Sequence, residues 1–235
     1  MDDGSIDGTS EEGYGEKSQV FKLDQNKGVS YARNYGIKQG QAKWIAFLDS
    51  DDEWKKSKLE KQLEYADKNL GCSLIHCNEI WIKNGKLFNQ KEKHKKRGGR
   101  IFIPSVDLCC ISPSSVLIKR EIFNKIGFFK EDFPVCEDYD FWLRYSSRYS
   151  VGFLDEPLIV KYGGHPDQLS AKYFAMDYWR VKALVPFLKD KHLSLEERKK
   201  VKQTLIQKTG ILLKGYKKHS NFKNYDEIEK ISQSL

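Results

Sequence analysis

A short apolar run that stops in carboxylates, Trp44-Ile45-Ala46-Phe47-Leu48-Asp49-Ser50-Asp51-Asp52, constrains this chain more than any other feature. Five consecutive apolar residues, rich in aromatic and branched side chains, read as a buried strand over residues 44–48. A buried strand that ends in Asp-Ser-Asp-Asp concentrates negative charge at the edge of a sheet. Carboxylates this close raise one another's pKa unless a cation lies between them. Carboxylate oxygens are also the ligands that hard divalent cations such as Mg²⁺ and Mn²⁺ prefer. Two readings fit the spacing equally. One is a metal-diphosphate site at a strand's carboxyl end; the other is an Asp-rich turn capping a helix that begins near Trp54.

Alternating strand and helix patterns surround this run. Residues 19–23 read as a strand, and Asn26-Lys27-Gly28 turns into a helix over 29–38 closed by Gly40. After the acidic turn, a helix near 56–70 spaces Leu59, Leu63, Ala66 and Leu70 along one side as a buried stripe. Strands are expected at 73–82, 115–118, 151–154 and 158–162. An amphipathic helix over 137–146 offers Phe141, Trp142 and Tyr145 to the core. The alternation predicts an α/β fold with a parallel sheet, whose ligands sit outside the carboxyl ends of the strands. From Ser170 onward the pattern is helical, over 173–189, 194–213 and near 225–231, and Ser194-Leu195-Glu196-Glu197 is a capping-box start. The expected organisation is an α/β domain over residues 1–170 and a helical extension over 171–235. The extension's pattern allows packing on the core, dimerisation or membrane contact.

Composition excludes several classes. Hydrophobic residues at 39% and aromatics at 13% make a globular chain rather than a disordered one. No stretch approaches the ~18 consecutive apolar residues of a membrane span, and no signal-peptide pattern precedes the first charges. The expected location is the cytoplasm, with room for peripheral contact at the inner face of the membrane. Five cysteines (Cys72, Cys77, Cys109, Cys110, Cys136) are odd in number and form no CxxC pair, which fits reduced thiols. The net charge of +8 is uneven, with a basic run from Lys91 to Arg100. That run reads either as a solvated loop or as a contact for anionic headgroups or a phosphorylated carrier. No nucleic-acid-binding motif accompanies the charge, so nucleic acid is not an expected partner.

Four segments in sequence order carry a family resemblance: Asp2-Asp3-Gly4-Ser5-Ile6-Asp7-Gly8-Thr9, Asn26-Lys27-Gly28-Val29-Ser30-Tyr31-Ala32-Arg33-Asn34, residues 47–52, and Glu137-Asp138-Tyr139-Asp140-Phe141-Trp142-Leu143-Arg144. Over about residues 1–170 the chain resembles the family 2 glycosyltransferases, with their GT-A nucleotide-sugar-binding fold. The resemblance implies a metal-dependent inverting transfer of a sugar from a nucleoside-diphosphate sugar, most often a UDP-sugar, to a hydroxyl on a glycan or lipid-linked acceptor. It implies that Asp49 and Asp51 form the DxD-type motif. Asp51 would be the direct ligand of Mn²⁺ or Mg²⁺, Asp49 would face ribose or a metal-bound water, and Asp52 would be a helix cap. It places Asp2, Asp3, Asn26, Gly28 and Arg33 along the nucleotide pocket, Asp138 as the catalytic base, and His165 near the diphosphate or metal. For Arg33 a surface ion pair remains an equal reading. The stretch Cys109-Cys110-Ile111-Ser112-Pro113-Ser114 resembles the family's acceptor side, and its thiols read as small buried apolar groups.

The departure is at the front. Family members carry a strand, a helix and a second strand before the Asp-Asp-Gly-Ser motif, a unit of about 30 residues. Here Met1 stands directly before Asp2. The expectation is an N-terminally truncated form with unpaired strand edges and an aggregation hazard, for which a non-catalytic remnant is the alternative to an enzyme.

Overall fold

The computed structural model describes every residue except 10–14, 16, 165–172 and 174, and statements of absence below concern the described residues. Six strands form one mixed sheet in the order β1-β5-β3-β6-β2: β1 (Trp44–Ala46), β2 (Asp52–Trp54), β3 (Leu74–Lys83), β5 (Leu117–Lys119) and β6 (Gly152–Gly163), with β4 (Lys86–Leu87) paired onto the end of β3. The expected parallel sheet is corrected. Only β3 and β6 run parallel, and the other neighbours are antiparallel. The reversal begins at the acidic turn, where the chain folds straight back as β2 and pairs Asp52 with Lys161 of β6. The expected strand at 44–48 is shorter and only half-buried, because β1 ends the sheet with β5 as its one neighbour. Of the strand expected at 19–23, a parallel bridge between Asp2 and Lys22 remains.

Where two strands were expected at 151–162, a single long β6 forms. It carries extra residues between Leu154 and Pro157 while β3 advances only from Cys77 to Asn78. Proline has no N–H to give the ladder, so the irregularity falls where the sequence places Pro157.

Helix α1 (Val29–Gln39) follows the sequence reading closely. Helix α2 (Lys58–Lys68) does not: its sheet-facing residues are Lys58, Gln62 and Ala66, while Leu59, Leu63 and Leu70 are exposed. The polar pair fits because it satisfies orphaned groups in the sheet layer. Gln62 Nε2 donates to the carbonyls of Ile75 (3.1 Å) and Ser115 (2.8 Å), and Lys58 Nζ donates to Gln62 Oε1 (2.9 Å). The ammonium also sits 4.3 Å from the centre of the Trp54 ring, and burial pulls its pKa down to about 8. Asp52 caps no helix; it is buried in β2 with its carboxylate 2.8 Å from Lys161 Nζ.

Helices α4 (Glu121–Ile126) and α5 (Glu137–Ser146) pack their buried faces with residues of β3 and β5, and α3 (Phe102–Asp107) packs on α5. Phe141, Trp142 and Tyr145 of α5 are buried as expected, against Phe47, Phe123 and Phe129. Phe129 stacks on Phe141 at 4.5 Å, and Trp142 meets Phe141 edge-on at 5.0 Å.

The helical tail packs on this layer. The helix expected at 173–189 becomes α6 (Asp177–Leu184) and a 3-10 turn (Val185–Lys189), since Pro186 cannot continue the α-helical ladder. Helix α7 (Leu195–Lys218) opens on the expected capping box of Ser194 and Glu197, and α8 (Tyr225–Gln233) follows. Leu184, Val201, Leu205 and Ile228 share one core with Phe102, Val106, Tyr139 and Leu143. No helix is long and apolar enough to cross a membrane.

One buried group gives the fold a pH dependence. The Nε2 of His76, on β3, faces the Arg97 carbonyl at 2.9 Å, and a carbonyl can only accept, so Nε2 carries the proton. Burial holds the imidazole neutral down to about pH 4. The unfolded chain binds a proton near pH 6.5, so His76 makes stability rise with pH between about 4 and 6.5. The expected result is that urea midpoints of His76→Gln, compared with wild type, improve as pH falls through that window, by up to ~3 kcal/mol at 1.36 kcal/mol per unit. A difference between the two proteins that stays constant with pH would contradict it.

Candidate active site

The site is assembled from three loop ends that α1 holds together. At the front of α1, Asp3 accepts the N–H groups of Lys27 and Gly28 on its two carboxylate oxygens, both at 2.8 Å. Gly28 has φ 91°, and a side chain there would meet nothing within 4 Å, so its backbone lies open. Gly4 is the opposite case: a Cβ would come within 2.7 Å of the backbone of Gln25 and Asn26, so only glycine lets the Asp-Gly-Ser turn pack against that segment. Asp2 is buried and accepts the Ser5 N–H at 2.8 Å; Asn26 is exposed.

Along α1 from Gly28 stands Arg33. Its Nη2 lies 2.6 Å from Asp49 Oδ1 and its Nη1 2.7 Å from Glu137 Oε1, with the guanidinium side chain only 10% exposed. Burial works against the charge, and the two carboxylates more than offset it, holding the guanidinium pKa above its ordinary value. The surface ion pair that sequence alone allowed is thus a buried one, bridging the end of β1 to the start of α5.

The acidic turn divides its carboxylates. The Asp49 N–H donates to Ser114 Oγ (3.0 Å), the Asp52 N–H closes the turn onto the Asp49 carbonyl (3.0 Å), and Trp54 Nε1 donates to the Ser114 carbonyl (2.8 Å). Asp49 turns toward Arg33, and Asp52 turns back into the sheet toward Lys161. Burial raises the Asp52 pKa, and Lys161 opposes it. Asp51 stands between them, half-buried.

Helix α5 begins on Cys136, a non-glycine residue at φ 62°. A left-handed residue at this point costs on the order of 1–2 kcal/mol and is held here by the surrounding core. The turn aims consecutive residues at different partners. Glu137 reaches Arg33, while Asp138 has Oδ1 on the Tyr139 N–H (2.7 Å) and Oδ2 3.4 Å from Cys109 Sγ. Burial, then the charge of Asp138, pushes the Glu137 carboxyl up to about 7, with Arg33 opposing. Burial likewise raises the Cys109 thiol, which stays protonated as a weak donor to Asp138.

The structure therefore brings Arg33, Asp49 and Glu137 together, has Asp138 beside Glu137 at the start of α5, and sets Asp2, Asp3, Asn26 and Gly28 at the front of α1. His165 lies outside the described residues. Among the described residues, no group of three or more His, Cys, Asp or Glu side chains is gathered closely enough to hold a metal ion by itself. Three participants have little sequence signal. Glu137 was legible only as a neighbour of Asp138, while Ser114 and Lys161 belong to the site through register and turn geometry.

A mixed sheet with acids at its loop ends and flanking helices is the GT-A architecture, a fold shared with solved glycosyltransferase structures. The Staphylococcus aureus TarS 1–349 structure in complex with UDP-GlcNAc superposes with a TM-score of 0.66 at 18% identity, covering 99% of this chain and 81% of that one. The sequence model of glycosyl transferase family 2 matches residues 1–127, and the chain belongs to that family. An uncharacterized glycosyltransferase of Rickettsia felis is 31% identical over 172 residues, 67% of this chain and 26% of its own length. The Escherichia coli UDP-Glc:alpha-D-GlcNAc-diphosphoundecaprenol beta-1,3-glucosyltransferase WfgD is 32% identical over 117 residues, 50% of this chain and 44% of its own. The chain thus spans about a quarter of the Rickettsia relative's length.

Proposed function

We propose that this chain performs an inverting, metal-dependent transfer of a sugar from a UDP-sugar to a hydroxyl of a glycan or lipid-linked acceptor. The observation that carries the reading is the buried Arg33-Asp49-Glu137 cluster, with Asp138 next to Glu137 at the start of α5. The family and the UDP-sugar chemistry in the names of WfgD and of the TarS complex support the donor class.

The donor set fits Mn²⁺ or Mg²⁺. Asp49 keeps a partly exposed carboxylate, Asp51 follows it in the same turn, and Mg²⁺ characteristically takes one or two protein carboxylates beside phosphate oxygens. Asp51 and Asp49 would hold the ion, with His165 as a further ligand or phosphate donor. When bound, the ion neutralises charge that grows on the departing diphosphate.

The remaining chemistry belongs to the chain. Asp2, Asp3 and Asn26 form the nucleoside wall, in which Asp3 acts by fixing the Lys27–Gly28 backbone. Gly28 leaves room for close approach, and the positive end of α1 favours phosphate. Arg33 holds Asp49 in place and adds positive charge. The acceptor hydroxyl attacks the anomeric carbon from the face opposite the diphosphate. Asp138 takes its proton as the new C–O bond forms and the bond to the diphosphate breaks, inverting the anomer. Cys109, a weak and displaceable partner, leaves Asp138 Oδ2 open to that hydroxyl. In this reading the catalytic domain spans residues 1–170 and the helical extension 171–235, at the cytoplasmic face of the membrane.

A thermal-shift panel of UDP- and GDP-sugars with Mn²⁺ tests the reading. At a hundredfold excess over Kd, a bound donor stabilises by about 2.7 kcal/mol, or ~5–10 °C in a chain of this size. The expected result is that shift with at least one UDP-sugar and its loss in Asp51→Ala. No shift with any donor would instead support the non-catalytic remnant.

A further inference from the structure

A second cleft opens at the hairpin of β3 and β4. It is a cavity of about 360 Å³ lined by Trp81, Phe88, Gln90, Lys91, Lys95 and Lys96, among others, within the size range of ligand pockets. Its wall is aromatic: the Trp81 and Phe88 rings lie nearly parallel, 12° apart with centroids at 6.2 Å, and Phe88 is exposed. Its floor is a fixed polar network. Glu79 Oε1 accepts from Trp81 Nε1 at 2.7 Å and from Lys96 Nζ at 3.0 Å, and both charged side chains are at least nine-tenths buried. Lys96, expected as part of a solvated basic loop, is thus a structural ammonium.

The charge balance of the cleft is positive. Lys96 neutralises Glu79 on the floor. At the rim, Lys91 and Lys95 stand against Glu92, and Lys83 Nζ lies 5.9 Å from the Phe88 ring centre. An aromatic wall takes the apolar C–H face of a sugar ring, amides such as Gln90 take hydroxyls, and rim ammonium groups take anions.

One segment of chain links the cleft to the candidate base. Lys96 Nζ donates to Ser112 Oγ at 3.3 Å, and Ser112 lies on the segment that runs from Cys109, beside Asp138, to Ser114, beside Asp49.

We propose that this cleft is an acceptor subsite for an acidic glycan, holding a sugar ring on Trp81 and Phe88 and its carboxylate or phosphate groups on Lys91 and Lys95. The inference rests on the glycosyl-transfer reading above and names the acceptor class for it.

Calorimetric titration of the full chain with tetragalacturonate, with neutral maltotetraose and, separately, with UDP and Mn²⁺ tests it. The variants are Phe88→Ala, an exposed position, and Lys91→Glu with Lys95→Glu. Tetragalacturonate is expected to bind wild type and to weaken by about ten-fold or more in each variant, while UDP affinity is unchanged. Maltotetraose binding as tightly as tetragalacturonate would overturn the acidic class. Undiminished binding in Phe88→Ala, or no oligosaccharide binding by a chain that binds UDP, would overturn the subsite. Tetragalacturonate binding that depends on Phe88 in a chain that ignores UDP would support the cleft and overturn the nucleotide-sugar reading instead.

Discussion

Asp138→Asn is expected to lower sugar transfer by about a thousand-fold while leaving donor affinity and thermal stability near wild type. The size follows from what a positioned general base contributes, roughly 10²–10⁴ in rate. The selectivity follows from the side chain's surroundings. Asp138 is half-buried, and its oxygens meet only the Tyr139 N–H and the Cys109 thiol among the hydrogen bonds of the structure. Asparagine keeps the first of these through its amide oxygen and loses only the ability to take a proton. Steady-state kinetics separate the outcomes. A fall in kcat with KM unchanged agrees with the base role; a rise in KM at unchanged kcat would mean that Asp138 only binds.

The second large effect is structural. Arg33→Met is expected to destabilise the chain by about 3–5 kcal/mol, the cost of removing one partner from a buried ion cluster. Methionine matches much of the arginine stem, so the loss comes from Asp49 and Glu137 facing each other without a cation. The double variant Arg33→Met with Glu137→Gln should recover part of that loss above pH 7, because the amide stays neutral there without taking up a proton. Urea unfolding of the three proteins measures this, and equal stability of the single and double variants would contradict it.

Glu137 adds a pH signature to the same cluster. Its folded carboxyl sits near 7 and its unfolded one near 4.5. The native state therefore holds the extra proton through this window, and the stability that Glu137 contributes is full below pH 4.5 and lost as pH rises through 7. In Arg33→Met the carboxyl loses its lowering partner, so the fall in its stability with pH should continue above 7, where the Glu137 contribution of wild type levels off. His76 acts in the opposite sense between pH 4 and 6.5, so the wild-type curve conceals both slopes and the two variants expose them.

Local signals were legible in the sequence where one element decides its own form. The helix over 137–146, the α1 start at Gly28 and the Ser194 capping box all appear as read. Long-range pairing was not legible. The turn after Asp49 reads equally as a metal-diphosphate site or a helix cap, and neither reading contains its reversal into β2, where Lys161, more than a hundred residues later in the chain, offers a cation to the buried Asp52. Apolar spacing likewise selected Leu59 and Leu63 for the core. The sheet instead presented the carbonyls of Ile75 and Ser115, and only Gln62 could satisfy them. In the site, residue types pointed to Asp49 and the family resemblance to Asp138. The bridge from Asp49 through Arg33 to Glu137 is a property of three-dimensional packing, which local spacing does not encode.

The stereochemistry of donor cleavage tests the central claim most directly. Proton NMR of the chain with Mn²⁺ and an α-linked UDP-sugar follows the anomeric proton as sugar is released to water or to an added acceptor. A single displacement assisted by Asp138 predicts a first-formed β product, absent in Asp138→Asn. A first-formed α product, or equal release by the variant, would contradict the account.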